Sequence, residues 1–142
     1  MLQKIRSWNN LDLGLLLIRV ALAVVLIAHG WQKLQNMSGT TGFFGFLGLP
    51  PELAYVVMII ELVGGFLILL GLFTKEAALA FAAVMVGAII TVKGSNGLMG
   101  SEGKSGYELE LMLLLISLAM SAIGPGRYTV YKLFGSSDLR NQ

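Results

Sequence analysis

Arg19, His29 and Lys33 lie in one long apolar stretch, and Glu61 sits in the middle of the next. A charge inside a hydrocarbon layer is costly, so it faces a protein interior, a partner charge or a watery cavity. At about 100° per residue the first three fall within an arc of roughly 80°, which is one face of a helix. A guanidinium, an imidazole, an ammonium and a carboxylate converging in apolar surroundings can hold a carbonyl-bearing ligand or exchange protons with it. They can equally pair with one another and fix helix packing.

Helical rise sorts the polar residues into two layers. Arg19 lies about 18 Å of helix from Trp31, and Glu61 about 15 Å from Pro51, at 1.5 Å per residue. If Trp31 and Pro51 mark the same interface, Arg19 and Glu61 share a depth. They are then expected to pair near the midplane, each relieving the other's desolvation. The second layer is a rim of His29, Lys33, Lys93, Glu108 and Glu110, which suits a ligand-orienting site or two lysines snorkelling to headgroups. Glu108 and Glu110 are about 200° apart on a helix, so only one faces inward; the sequence leaves open which. Gly64, Gly65 and Gly71 sit on or near the face of Glu61 and allow either close helix approach or a slot for a flat ring. His29 is the only histidine. One chain cannot supply bis-His ligation, and neither haem nor a metal is expected; beside Lys33 the imidazole can donate to a carbonyl or relay a proton.

These residues need helices to position them. Four apolar stretches, about 11–34, 51–73, 77–92 and 107–123, each approach the length of a membrane span. They lack the alternation of barrel strands, and open sheets leave unsatisfied edges in lipid. The expected fold is all-α: a polytopic membrane four-helix bundle forming one domain over residues 1–142. The third stretch is Ala-rich, with Ala83 and Gly87 at small-xxx-small spacing, and reads as a packing helix. Between the first two spans, GTTGFFGFLGLPP is too apolar to extend into water. It is either a glycine-flexible connector whose aromatics dip into headgroups or an interfacial lid folded over the bundle end. The segment GSNGLMGSEGKSG reads as a mobile polar loop.

Composition agrees. Of 142 residues, 56% are hydrophobic and only 13% charged, with a mean hydropathy of +0.78, too apolar for a solvated globular surface. There is no cysteine, which excludes disulfides and thiol redox chemistry carried by the chain. Any redox role therefore needs a bound cofactor or a partner. Lys4 and Arg6 before an apolar run resemble a secretory signal, but Asp12 and Arg19 interrupt the run, and an uncleaved first span is expected. The formal net charge is +2, without a basic stripe, which gives nucleic-acid binding no support. Lys4, Arg6, Lys75, Arg127, Lys132 and Arg140 fall on one side, against Lys33, Lys93 and Lys104 on the other. The positive-inside rule then expects both termini in the cytoplasm. Trp8, Trp31, Tyr55, Tyr107, Tyr128 and Tyr131 fall near span ends, where such rings favour the headgroup layer.

The stretches LIRVALAVVLIAHGWQKL and ELVGGFLILLGLFTKEAAL, the acidic start of the last span and the closing GPGRYTV together resemble the DoxX family of small bacterial membrane proteins. The likeness runs from about Leu15 to Val130. The matching positions are Arg19, His29, Gly30, Lys33, Glu61, Gly64, Gly65, Gly71, Gly124, Pro125, Gly126 and Arg127. An Asp that often follows the GPGR segment in the family is absent from GPGRYTVY. The resemblance implies a protein of the cytoplasmic membrane linked to redox metabolism, since some relatives are subunits of thiosulfate:quinone oxidoreductases and others belong to oxidative-stress complexes. From it follows the expectation of a quinone held between the first, second and fourth helices. His29 and Lys33 would hold or protonate a carbonyl, Arg19 and Glu61 would fix the slot from below, and partner proteins would supply electrons. A homo-oligomer is compatible with this. The alternatives from other classes are a non-catalytic scaffold that recruits partners and a small transporter or proton path.

Overall fold

The computed structural model describes residues 10–135; the expectations for Lys4, Arg6, Trp8 and Arg140 lie outside the described residues. Asn10 opens the first helix, α1 (Leu11–Gln35), its side chain accepting from Leu13 N at 3.2 Å, which satisfies one orphan N–H. Asn36 closes α1 with φ −129° and ψ 56° and also caps the next helix, α2 (Met37–Phe46), where its Oδ1 accepts from Gly39 N at 3.1 Å. The apolar connector is thus a short helix folded across the end of α1.

After a turn through Gly48, α3 (Leu53–Leu70) runs back antiparallel to α1 and ends at Gly71, whose φ of 76° favours a residue without Cβ. The fourth helix, α4 (Thr74–Ala88), continues as a π-helical turn, Ile89–Lys93, and a 3₁₀ turn, Gly94–Asn96. The expected mobile loop contains a two-stranded antiparallel hairpin, β1 (Gly100–Ser101) with β2 (Lys104–Ser105), in which Gly100 opposes Ser105. Then follow α5 (Glu108–Ile123) and a short α6 (Val130–Gly135). Among the described residues, Leu11–Gln35, Leu53–Leu70 and Thr74–Asn96 are long and apolar enough to cross a membrane; α5 has 16 residues.

α1 packs chiefly on α3 and α4 on α5, with α3 against α4 joining the pairs. Leu22, Leu26, Ile68, Ala78, Phe81 and Met120 form the core, while Leu17, Val24, Ile59, Ile90 and Leu115 point outward. Arg19, Glu61, Thr74 and Ser117 are buried. An apolar exterior around buried polar groups reverses the arrangement of a water-soluble domain and suits a lipid surround.

Glycine sets the α1–α3 register. A Cβ on Gly30 would fall 2.8 Å from Leu62 Cα, and one on Gly65 would fall 3.0 Å from Ile27 N, so the two backbones touch there. Gly30 is therefore level with Leu62. From that level α3 runs on to Leu53, about 13 Å at 1.5 Å per residue. Trp31 is level with Glu61, not with Pro51, so Arg19 and Glu61 do not share a depth. Both ends of the described chain lie together: Asp12 Oδ1 accepts from Arg127 N at 3.0 Å.

Candidate functional site

The expected Arg19–Glu61 pair is absent, and each residue anchors a different end of the molecule. Arg19, 2% exposed, sits at the end where Asp12 meets Arg127. Its Nη1 donates to the carbonyls of Pro125 at 2.8 Å and Tyr128 at 2.7 Å, and its Nη2 to that of Leu69 at 2.8 Å. Leu69 belongs to the last turn of α3, whose carbonyls lack helical partners and carry the negative end of the helix dipole. The planar fork spans three diverging acceptors, which suits a guanidinium and no other side chain. Gly71 makes room: a Cβ there would lie 3.2 Å from Arg19 Cζ.

At the opposite end, under α2, lies a cavity of about 460 Å³. Phe43, Phe44 and Leu47 cover it from α2 and the turn after it; Val57 and Ile60 of α3 and Val84, Gly87 and Ala88 of α4 form the walls. The lid alternative for the connector is the one realised. Polar groups enter from α1, α3 and α5: His29, Lys33, Glu61 and Glu110. Lys33 Nζ donates to Glu61 Oε2 at 2.6 Å, and the Glu61 side chain is only 4% exposed. Lys93 Nζ stands 2.8 Å from Glu110 Oε1, and Glu110 Oε2 is buried without a hydrogen-bond partner. Lys93 closes the π-helical turn, whose wider winding carries its side chain round to α5. Within that turn Thr91 Oγ1 donates to Gly87 O at 2.8 Å.

The rim residues therefore divide. His29 is largely exposed yet borders the cavity, and Lys33, Glu61 and Glu110 border it directly. Lys93 reaches the site only through Glu110. Glu108 is exposed and outside the cavity lining, which settles the choice in favour of Glu110. Arg19 is at the other end. Gly65 offers no slot, because Leu26 and Ile27 of α1 fill the space beside it; it serves close helix packing. The expected slot between the first, second and fourth spans is corrected likewise. The third span, read as packing, is a principal wall, and α1 adds only His29 and Lys33. The available signal was Gly87, where a Cβ would meet nothing within 4 Å: small-xxx-small spacing serves a cavity as well as a contact.

The family model described as DoxX matches residues 14–94, which contain all but the first three residues of α1 together with the lid, α3 and α4. The chain belongs to the DoxX family. It is similar to the protein named "Putative oxidoreductase CatD" of Bacillus subtilis (strain 168), 41% identical over 116 residues, covering 82% of this chain and 83% of that one. It is also similar to "Inner membrane protein YqjF" of Escherichia coli (strain K12), 28% identical over 127 residues, covering 86% and 92%. An uncharacterized membrane protein of Mycobacterium tuberculosis is 33% identical over 126 residues, covering 80% and 76%. No solved structure matches the chain. With its apolar helices and these relatives, this DoxX protein is a membrane protein.

Proposed function

We propose that this chain is a four-span subunit of a bacterial inner membrane, both termini in the cytoplasm, that holds a quinone-like ring in the cavity under α2. In this reading a partner supplies electrons, because no side chain here is redox-active at ordinary potentials. The observation that carries it is the cavity: apolar and aromatic walls with His29 and the Lys33–Glu61 pair at its border, the usual make-up of a site for a flat, sparingly polar ligand. The word oxidoreductase in the name of the Bacillus relative and inner membrane in that of the Escherichia relative support the setting. Counting α5 as the fourth span rests on its packing against α4, and the shared side of the termini rests on the Asp12–Arg127 contact.

The test is titration of the reconstituted protein with a short-chain quinone, followed by quenching of tryptophan fluorescence. Saturable binding that disappears in Gly87→Leu, whose side chain enters the cavity, supports the reading. A flat titration replaces it with the scaffold reading, which the pairing of each lysine with a carboxylate also favours. Reporter fusions at Ser38, Lys75 and Lys104 test topology, and an extracytoplasmic signal at Lys75 overturns it.

A further inference from the structure

We infer that the cavity selects the reduced, hydroxyl-bearing form of an aromatic ring, a hydroquinol, over the oxidised quinone; this rests on the function proposed above. The ground for it is the balance of donors and acceptors at the cavity border. Lys33 spends its shortest bond on Glu61 Oε2, and Lys93 is engaged by Glu110. Each lysine neutralises one carboxylate, so the polar network as a whole favours a neutral guest over an anion.

Donors and carboxylate acceptors both remain open, and the acceptors are the ones a carbonyl cannot meet. Glu61, 3% exposed and bordering the cavity, accepts no hydrogen bond at Oε1 from any described residue. Glu110, bordering the same cavity, has Oε2 buried without a partner. Glu110 Oε2 is the carboxylate oxygen kept from water and unpaired, which is costly, and a hydroxyl from the guest removes that cost with a charge-assisted bond; the same hydroxyl chemistry serves Glu61 Oε1 where it borders the cavity. A quinone carries two carbonyl oxygens and no donor. It can accept from His29 or from the remaining N–H groups of Lys33, but it brings no donor to Glu110 Oε2 or to Glu61. A hydroquinol presents a donor and an acceptor at each ring oxygen and meets both kinds of group. Glu61 is the positioning carboxylate in this assignment, held at one oxygen by Lys33 and free at the other.

The probe is tetramethyl-1,4-benzoquinone and its hydroquinone, titrated anaerobically into the reconstituted protein. Wild type is expected to bind the hydroquinone about tenfold more tightly or better, the scale of one charge-assisted hydrogen bond. That preference raises the midpoint potential of the bound couple by about 30 mV per factor of ten. In Glu61→Gln the amide keeps the shape but brings a donor, and the preference should fall to within about twofold while quinone binding persists. Folding of the variant is checked by helicity and thermal midpoint, and if it does not fold the wild-type ratio decides alone. Equal or tighter binding of the quinone by wild type overturns the inference and leaves the proposed function standing, as does an unchanged preference in a folded Glu61→Gln. Failure of both forms to bind overturns the two together. A bilayer quinol and a small aqueous diphenol share this chemistry. A decyl-tailed analogue separates them, with tail-strengthened binding marking the bilayer source and tail-indifferent binding the aqueous one.

Discussion

Two buried ionic groups occupy opposite ends of this bundle and are satisfied in opposite ways. Arg19 gives its two terminal nitrogens to three backbone carbonyls, Leu69, Pro125 and Tyr128, and pins the segment after α5 onto the end of α3. Among the described residues Glu61 has a single partner, Lys33, and it stands against an open volume. Backbone carbonyls cannot rotate away, so the first arrangement is a structural clamp. A side-chain pair beside a cavity can exchange a partner for a guest, so the second is available for binding. Burial and charge alone do not separate a clamp from a site; what separates them is whether the partners are fixed backbone or a movable side chain, and whether space adjoins them.

The sharpest way to break this contrast is at Arg19. Arg19→Ala strands three carbonyls and should lower stability by about 3–5 kcal/mol, read as an earlier midpoint in a denaturation series in mixed micelles. Arg19→Lys should recover only part of the loss, because one ammonium cannot reach three diverging acceptors. An unaltered midpoint in Arg19→Ala would show that no clamp operates there.

Two glycines, one packed against α1 and one lining the cavity, give the next largest contrast. Gly65→Leu drives its side chain into Leu26 and Ile27 and should cost about 1–3 kcal/mol or more by overpacking. Gly87→Leu meets open space and should leave stability level or raised by up to about 1 kcal/mol, while abolishing ligand binding. Equal losses at both positions would mean that the cavity closes in the membrane.

The ion pair comes third. Lys33→Ala and Glu61→Ala should each cost about 1–3 kcal/mol, the double change less than their sum by at least about 0.5 kcal/mol. Arg19→Ala combined with Glu61→Ala should instead be additive within about 0.5 kcal/mol, and a coupling between them would revive a contact that the register denies. The smallest effect belongs to Lys93→Ala, whose partly exposed pair with Glu110 contributes no more than about 1 kcal/mol, detectable in the same series.

The helices were legible because hydropathy and length speak directly to them. The stretches 11–34, 51–73, 77–92 and 107–123 meet α1 at Leu11–Gln35, α3 at Leu53–Leu70, α4 from Thr74, and α5 at Glu108–Ile123. Side-chain partners were less legible, since pairing depends on how far one helix slides along another. That slide is set by Gly30 against Leu62 and Gly65 against Ile27, contacts with no sequence signal beyond the glycines themselves. Lys33 and Glu61 both stand out in the sequence, but placing Trp31 and Pro51 on one plane hands the partnership with Glu61 to Arg19 instead. The lid was visible as an apolar connector, whereas the role of α4 was hidden by small residues that read as contact rather than as empty space.

Asn36 is a single side chain standing between two very different molecules. Were it replaced by Ala, α1 and α2 would lose the residue that ends one helix and starts the other. The uninterrupted rod from Leu11 to Phe46 would measure about 54 Å, against a hydrocarbon layer of about 30 Å. Such a rod must tilt steeply or stand clear of the surface, and in either posture Phe43 and Phe44 leave the mouth of the cavity. The bend at Asn36 is therefore what keeps a pair of phenyl rings over the cavity instead of carrying them away from it.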